Sequence, residues 1–421
     1  MTSRTLCVIG LGYIGLPTAV VLADNGWQVT GVDVSDRTVD MVKRGELPFV
    51  EVGLEKALKK VVDAGTLTAQ KDTPHSEIYI VSVPTPFKGQ HELDASYIDA
   101  ATDAIIPQLQ GDELMILEST SPPGTTERMA KRVLAARPDL SADGADGKPV
   151  VHFAHAPERV LPGRIMIEMT SNDRIIGGLT PEATRRAKEV YESFNKGDVI
   201  TTDARTAEMA KLTENAFRDV NIAFANELSV ICEKLGINVW ELIELSNHHP
   251  RVNILNPGPG VGGHCIAVDP WFIVSSQPEE SKLIRMARDI NDGKPLWVID
   301  HVAQALADIV RESGKTQDAK IAVLGLAYKP NIDDLRESPS LEIAKLLAER
   351  YPQHEIVAVE PYVEELPKAL EGYSNITFAE PHAAVEDADI VLVLVAHDQF
   401  KDLKPEVTEG AKLIDTIGLW R

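Results

Sequence analysis

Residues 10–15 read Gly-Leu-Gly-Tyr-Ile-Gly, immediately after the apolar, β-branched run Thr5–Ile9 and before a stretch of helical period, 16–25. Three glycines at that spacing leave little choice of local geometry. Lacking a Cβ, Gly10 permits a tight turn out of a strand, Gly12 lets backbone N–H groups approach a bound anion, and Gly15 lets the next helix lie close on the strand. The helix N-terminus then faces the phosphates of a dinucleotide. Asp33 ends the next strand-like run, 29–32, where it can accept hydrogen bonds from the adenosine ribose and repel a 2′-phosphate. This favours NAD over NADP, although Arg37 nearby leaves the second open. Tyr13 and Ile14 lie in the same turn and join the cofactor-binding candidates.

The glycine turn sits at the head of an alternating pattern. Strand-like runs at 5–9, 29–32, 78–83, 114–118 and 151–155 are separated by helical periods, which predicts a parallel, doubly wound sheet. From about 206 to 245 the pattern becomes helical, and a further helical stretch spans 283–292. The charged, small-residue stretch 312–318 reads as a connection. Beyond it, 320–326, 355–359 and 389–395 are strand-like, with an amphipathic helix at 340–349. The expected architecture is α/β, with two Rossmann-like doubly wound domains (1–205 and 312–421) joined by a helical central domain (206–311).

A net charge of −22 disfavours loose binding to nucleic acid or anionic lipid, so an anionic ligand must be met by local Lys, Arg or helix N-termini. Cys7, Cys232 and Cys265 make no disulfide framework and no CxxC pair, which fits a reducing cytosol. The apolar run 6–23 is interrupted by Gly10, Gly12 and Gly15 and lacks a cleavage pattern, so it does not read as a signal peptide. No segment approaches the ~18 apolar residues of a membrane span. A cytoplasmic, soluble protein without metal is expected.

Val83-Pro-Thr-Pro86 and Glu118-Ser-Thr120 each follow a strand-like run, at the sheet edge where such folds bind ligands. Thr85, Ser119 and Thr120 are thereby candidates for cofactor or substrate contact; the same hydroxyls also suit turns and caps. Gly258-Pro-Gly-Val-Gly-Gly-His-Cys265 brings a lone cysteine to the end of a glycine-rich approach. Such a loop allows backbone to lie close to a ligand, leaving the thiol available for chemistry. Cys7 and Cys232 read instead as small buried apolar residues. Lys211 and Asn215, four apart in a helical segment, share a helix face and together suit an oxyanion.

These motifs and their order resemble the UDP-glucose/GDP-mannose dehydrogenase family over essentially the whole chain. The resemblance rests on the turn at 10–15, on 83–87, 118–122, Ala156-Pro-Glu-Arg-Val-Leu-Pro-Gly163 and 211–227, and continues through His249-Pro-Arg-Val-Asn-Ile254, 257–271 and 325–339. It implies an NAD-dependent, four-electron oxidation of a sugar C6 alcohol, with Cys265 as covalent nucleophile, Lys211 and Asn215 stabilising an oxyanion, and Thr120, Glu158 and Asp269 handling water. It further implies substrate contacts from Arg159, Val160, Arg218 and Gly262, nucleotide contacts from Lys329 and Arg336, and a homodimer through the central helices in which Arg251 reaches the neighbouring site.

Two departures bear on the substrate. The UDP-glucose branch usually has glutamate where this chain has Pro162, and commonly lysine where it has Val268. Both fit the branch acting on UDP-linked N-acetylmannosamine. The C2 epimer, UDP-N-acetylglucosamine, remains the main alternative. A one-step β-hydroxyacid dehydrogenase needs neither Cys265 nor a third domain, and a non-enzymatic nucleotide-sugar sensor would not need Cys265, Lys211 and Asn215 together.

Overall fold

The computed structural model describes residues 4–89, 91–161, 163–263, 265–313, 318–404 and 410–421. Its strands, in chain order, are β1 (Thr5–Ile9), β2 (Gln28–Val32), β3 (Leu67–Gln70), β4 (Ile78–Val81), β5 (Phe87–Lys88), β6 (Glu92–Leu93), β7 (Leu114–Leu117), β8 (His152–His155), β9 (Arg174–Gly178) and β10 (Val199–Asp203). Then come β11 (Lys320–Leu324), β12 (Glu355–Val359), β13 (Ile376–Phe378), β14 (Ile390–Val393) and β15 (Lys412–Asp415). The chain divides into two compact units, Met1–Glu214 and Asn215–Arg421.

In the first unit an eight-stranded sheet runs β10-β9-β8-β7-β4-β1-β2-β3. Neighbouring residues of one strand feed different cores: Leu6 and Val8 pack in one apolar cluster, Cys7 and Ile9 in another, and Ile80 and Ile116 separate in the same way from Tyr79 and Met115. Side chains alternate across a strand, so a strand buried on both sides must be covered by helices on both faces. All pairings from β3 to β8 are parallel, as expected, but β9 joins β8 antiparallel through Ala154–Gly178 and His155–Gly177. The sequence reading does not anticipate this reversal, nor strand β9, which is short on apolar residues because it carries Arg174 and two glycines, nor the largely exposed β10.

In the second unit a five-stranded, all-parallel sheet runs β13-β12-β11-β14-β15. Ile321 and Val323 face one core, Ala322 and Leu324 the other. Each sheet therefore changes winding direction beside its first strand, between β1 and β4 and between β11 and β14, which places a ligand crevice at the carboxyl ends of those strands.

The two sheets are separated along the chain by helices Ala204–Leu235, Val239–Asn247, Asp269–Ser276 and Lys282–Ser313. The first of these runs unbroken through the division between the units. Lys282–Ser313 includes Pro295 and runs well past the helical stretch expected at 283–292. The connection expected at 312–318 includes residues 314–317, which lie outside the described residues. No helix among the described residues is long and apolar enough to cross a membrane.

Candidate functional site

At the carboxyl end of β1 the backbone turns at Gly10, with φ of +94°. A Cβ here would overlap the Ser82 carbonyl at the end of β4, and one at Gly15 would overlap the Gly10 carbonyl, so both positions are closed to larger residues. Gly12, between them, has open space around the corresponding point. Helix Gly15–Asp24 follows with no acidic residue in its first turn. No carboxylate of the helix's own first turn competes for its free N–H groups, which suits an anionic pyrophosphate.

Asp33 follows β2 and braces the turn: its Oδ2 accepts from the Leu11 N–H at 2.9 Å and its Oδ1 from the Ser35 N–H at 2.9 Å. Each oxygen keeps acceptor capacity for a ribose hydroxyl. Together the turn, the helix end and this carboxylate fit a dinucleotide. Arg37 is exposed in helix Asp36–Lys43, and Ile14 sits at the N-cap of Gly15–Asp24. The Tyr13 ring stacks on Phe49 at 4.7 Å. Thr85 and Thr120 are half-buried. Ser119 is buried, and its hydroxyl accepts from the Val83 N–H at 2.9 Å and donates to the Val83 carbonyl at 2.8 Å. It ties together the ends of β4 and β7.

The segment after β8 carries Glu158, which is 8% exposed. Its Oε1 lies 3.2 Å from the Lys211 ammonium and its Oε2 accepts from the Val160 N–H at 2.8 Å. Arg159 turns away from this pair and is anchored by Glu214 at 2.7 Å and the Asp173 carbonyl at 2.9 Å. His155, fully buried at the end of β8, is pushed down to about 3 by burial, then by the nearby Lys211 charge, and stays neutral. The departure at residue 162 lies outside the described residues.

In the second unit Asn215 donates to Asp269 Oδ2 at 2.6 Å, both side chains buried. The Asp269 N–H in turn donates to the Cys265 carbonyl at 2.8 Å, at the entry to helix Asp269–Ser276. Val268, the other departure, is the N-cap of that helix. Asn215, Asp269 and Cys265 are thus drawn together from positions up to 54 residues apart in sequence. Cys265 is exposed, whereas Cys7 and Cys232 are buried, and burial pushes the Cys7 thiol up to about 12. Arg218, Arg251 and Lys329 are exposed, and Arg336 pairs with Asp334 at 2.7 Å.

Several buried carboxylates escape sequence reasoning. Glu51 accepts from the N–H groups of Gly163 and Ile165, both at 2.9 Å, and so fixes the segment that follows Glu158. Glu208 accepts from the Gly124 N–H at 2.6 Å and the Thr126 N–H at 2.7 Å, closing the loop that carries Ser119 and Thr120. Glu118 lies fully buried against Arg174 at 3.2 Å, Thr18 and Tyr191.

Known proteins carry the same organisation. Profiles of the NAD binding, central and UDP binding domains of the UDP-glucose/GDP-mannose dehydrogenase family match residues 4–195, 205–293 and 322–421. The UDP-N-acetyl-D-mannosamine dehydrogenase of Yersinia pestis is 52% identical across the whole of both chains. The NDP-N-acetyl-D-galactosaminuronic acid dehydrogenase of Ralstonia nicotianae is 49% identical, over 99% of this chain and 96% of its own. The solved structure of the UDP-D-ManNAc dehydrogenase of Pyrococcus horikoshii aligns with a TM-score of 0.85 at 36% identity, covering 99% of this chain and 96% of that one. The chain belongs to the UDP-glucose/GDP-mannose dehydrogenase family and is an NAD-dependent nucleotide-sugar dehydrogenase.

Proposed function

We propose that the chain oxidises the C6 alcohol of UDP-N-acetyl-D-mannosamine to the carboxylate of UDP-N-acetyl-D-mannosaminuronate, with Cys265 as the nucleophile. The observation that carries this reading is the linkage of Asn215, Asp269 and the exposed Cys265. The name of the Yersinia relative supports the sugar. NAD supplies the hydride acceptor, one molecule for each of the two oxidations. Gly10, Gly12, Tyr13, Ile14 and Gly15 hold its pyrophosphate, Asp33 and Arg37 flank its ribose, and Thr85 and Ser119 border it.

After the first oxidation the substrate is an aldehyde. The Cys265 sulfur attacks C6, forming a C–S bond, and the carbonyl oxygen takes up charge that the Lys211 ammonium and Asn215 amide stabilise. Loss of the C6 hydrogen as hydride turns this thiohemiacetal into a thioester. Glu158, with Thr120 and Asp269, orients a water that adds to the thioester carbon. The C–S bond breaks, the sugar leaves as carboxylate and Cys265 regains its thiol. Arg159, Val160, Arg218 and Gly262 line the sugar, while Lys329 and Arg336 meet the nucleotide.

We assign the NAD, central and UDP-sugar roles to residues 1–205, 206–311 and 312–421, and the cytoplasm as compartment. The central helices form a homodimer, in which Arg251 reaches the second site. An apolar stripe on helix Ala204–Leu235 supports the dimer: Phe217 is 67% exposed, Phe224 52% and Ile231 44%.

The Ralstonia relative favours a second reading, in which the sugar is a different N-acetylhexosamine epimer. A panel of UDP-linked N-acetylmannosamine, N-acetylglucosamine and N-acetylgalactosamine assayed with NAD separates them. Two NADH per N-acetylmannosamine consumed, with little turnover of the others, is expected; preference for another epimer overturns the assignment. Cys265→Ser should retain binding of NAD and UDP-sugar and lose sustained acid formation. Full turnover by this variant would remove the covalent step.

A further inference from the structure

The approach to Cys265 is held from two sides. On one side the Gly258 N–H donates to Asn226 Oδ1 at 2.9 Å, and Asn226 donates to Asn291 Oδ1 at 2.8 Å. Asn291 continues to Asp219 at 2.8 Å, and Asp219 accepts from the buried Arg288 at 2.6 Å. This polar ladder joins helices Ala204–Leu235 and Lys282–Ser313 and fixes the start of the thiol loop.

On the other side lies the segment after β11. A Cβ on Gly262 would stand 2.5 Å from the Glu337 carbonyl oxygen and 2.7 Å from Tyr328 Cβ, and one on Gly263 would stand 2.8 Å from Cε2 of the Tyr328 ring. These glycines therefore lie flush on Tyr328. The Gly263 N–H donates to the Arg336 carbonyl at 3.2 Å. Arg336 thus touches the thiol loop through its backbone, while its side chain pairs with Asp334 at 2.7 Å and stays half exposed. The stretch between is pinned to its own sheet: Glu360 accepts from the Leu326 and Ala327 N–H groups at 2.8 Å, and the Asn331 N–H donates to His397 Nδ1 at 3.0 Å.

We infer that the Tyr328–Arg336 segment couples capture of the nucleotide diphosphate to the placement of Cys265, with Tyr328 and the Arg336 backbone as positioning groups acting through Gly262 and Gly263. This rests on the reading above that Lys329 and Arg336 hold the nucleotide and that Cys265 is the nucleophile. When the Arg336 guanidinium exchanges Asp334 for a phosphate, its carbonyl, and with it Gly263, shifts or stiffens two residues before the thiol. The enzyme then presents its nucleophile only when a nucleotide diphosphate is in place. A loop free of these contacts would set the thiol regardless of ligand.

The test uses UDP, which lacks the sugar, with the full-length protein. Alkylation of Cys265 by iodoacetamide is followed by peptide mass spectrometry, Cys7 and Cys232 being buried internal controls. Saturating UDP, its binding measured by calorimetry, is expected to change the Cys265 rate at least threefold. The change should vanish in Tyr328→Ala at its own saturating UDP and persist in Tyr328→Phe, which keeps the ring. In turnover, Tyr328→Ala should lower kcat about tenfold while KM moves less than threefold, and Tyr328→Phe should recover most of it. UDP that binds without altering alkylation of the parent protein overturns the inference, whatever the variants do. A rate change that survives in Tyr328→Ala does so too, since it would mark simple shielding. A chain that binds no UDP fails the nucleotide reading itself, and the coupling falls with it.

Discussion

Lys294 is 4% exposed, with its ammonium 3.0 Å from the Ser229 hydroxyl and 3.5 Å from the centre of the Trp297 ring. Burial pulls it down to about 8 from 10.5. The unfolded chain therefore holds this proton more tightly than the folded one between those two values, and stability from this group rises with pH across that window. Below pH 8 the buried charge costs the fold roughly 3 kcal/mol. Lys294→Met should be more stable than the parent at pH 7 in urea titrations, with the gap closing between pH 8 and pH 10.5. A variant that is less stable at pH 7 would show that the lysine's contacts outweigh its desolvation. At this scale the sequence reveals residues that sit in local patterns, such as Asp33 after a strand and Cys265 after its glycines. It does not reveal Glu51 or Glu208, whose partners lie 112 and 84 residues away. A carboxylate that binds distant backbone N–H groups leaves no spacing to read.

Among elements, Glu208 shows how a helix can set a loop in the neighbouring layer. Its carboxylate caps the start of helix Thr125–Ala136, accepting from Gly124, from Thr126 N–H and from the Thr126 hydroxyl at 2.7 Å. Burial raises its pKa, but these donors oppose the shift. Glu208→Ala strands buried donors and should lower stability by about 3 kcal/mol, read as a lower urea midpoint, with Glu208→Gln recovering part. A loss below ~0.5 kcal/mol would mean that water replaces the cap. Central strands such as β1, β4, β7 and β11 are plain in sequence because burial on both faces demands unbroken apolar runs. The edge strands β10 and β15 are partly exposed, so their composition carries little signal. Pro295 sits inside a helix that outruns the expected 283–292. It removes the helical hydrogen bond to the Asn291 carbonyl, yet buried Asn291, Lys294 and Val298 hold the turn in register on either side. Packing overrides propensity there.

For the whole molecule, the charge of −22 sets two copies against each other, so any association needs an apolar surface to overcome it. Helix Ala204–Leu235 supplies one. Phe217, Phe224 and Ile231 recur one heptad apart, and a heptad spacing keeps side chains on nearly one face of a helix. Isolated exposed apolar residues are ordinary, but an aligned aromatic and aliphatic stripe is the kind of surface the proposed dimer needs. The sequence shows the long helical middle, but not which of its apolar residues remain uncovered; that depends on where the other central helices pack. If the stripe is the dimer seam, Phe217→Glu combined with Phe224→Glu places charges where the two copies meet, each desolvated against an apolar partner. Light scattering after size exclusion should then give half the parent mass, while circular dichroism stays unchanged because both positions are exposed in the single chain. The opposing charge also predicts that the proposed dimer tightens as salt rises, since screening weakens like-charge repulsion while leaving apolar burial intact. A double variant that keeps the parent mass, or a parent that is monomeric at every salt concentration, would rule this stripe out as the seam.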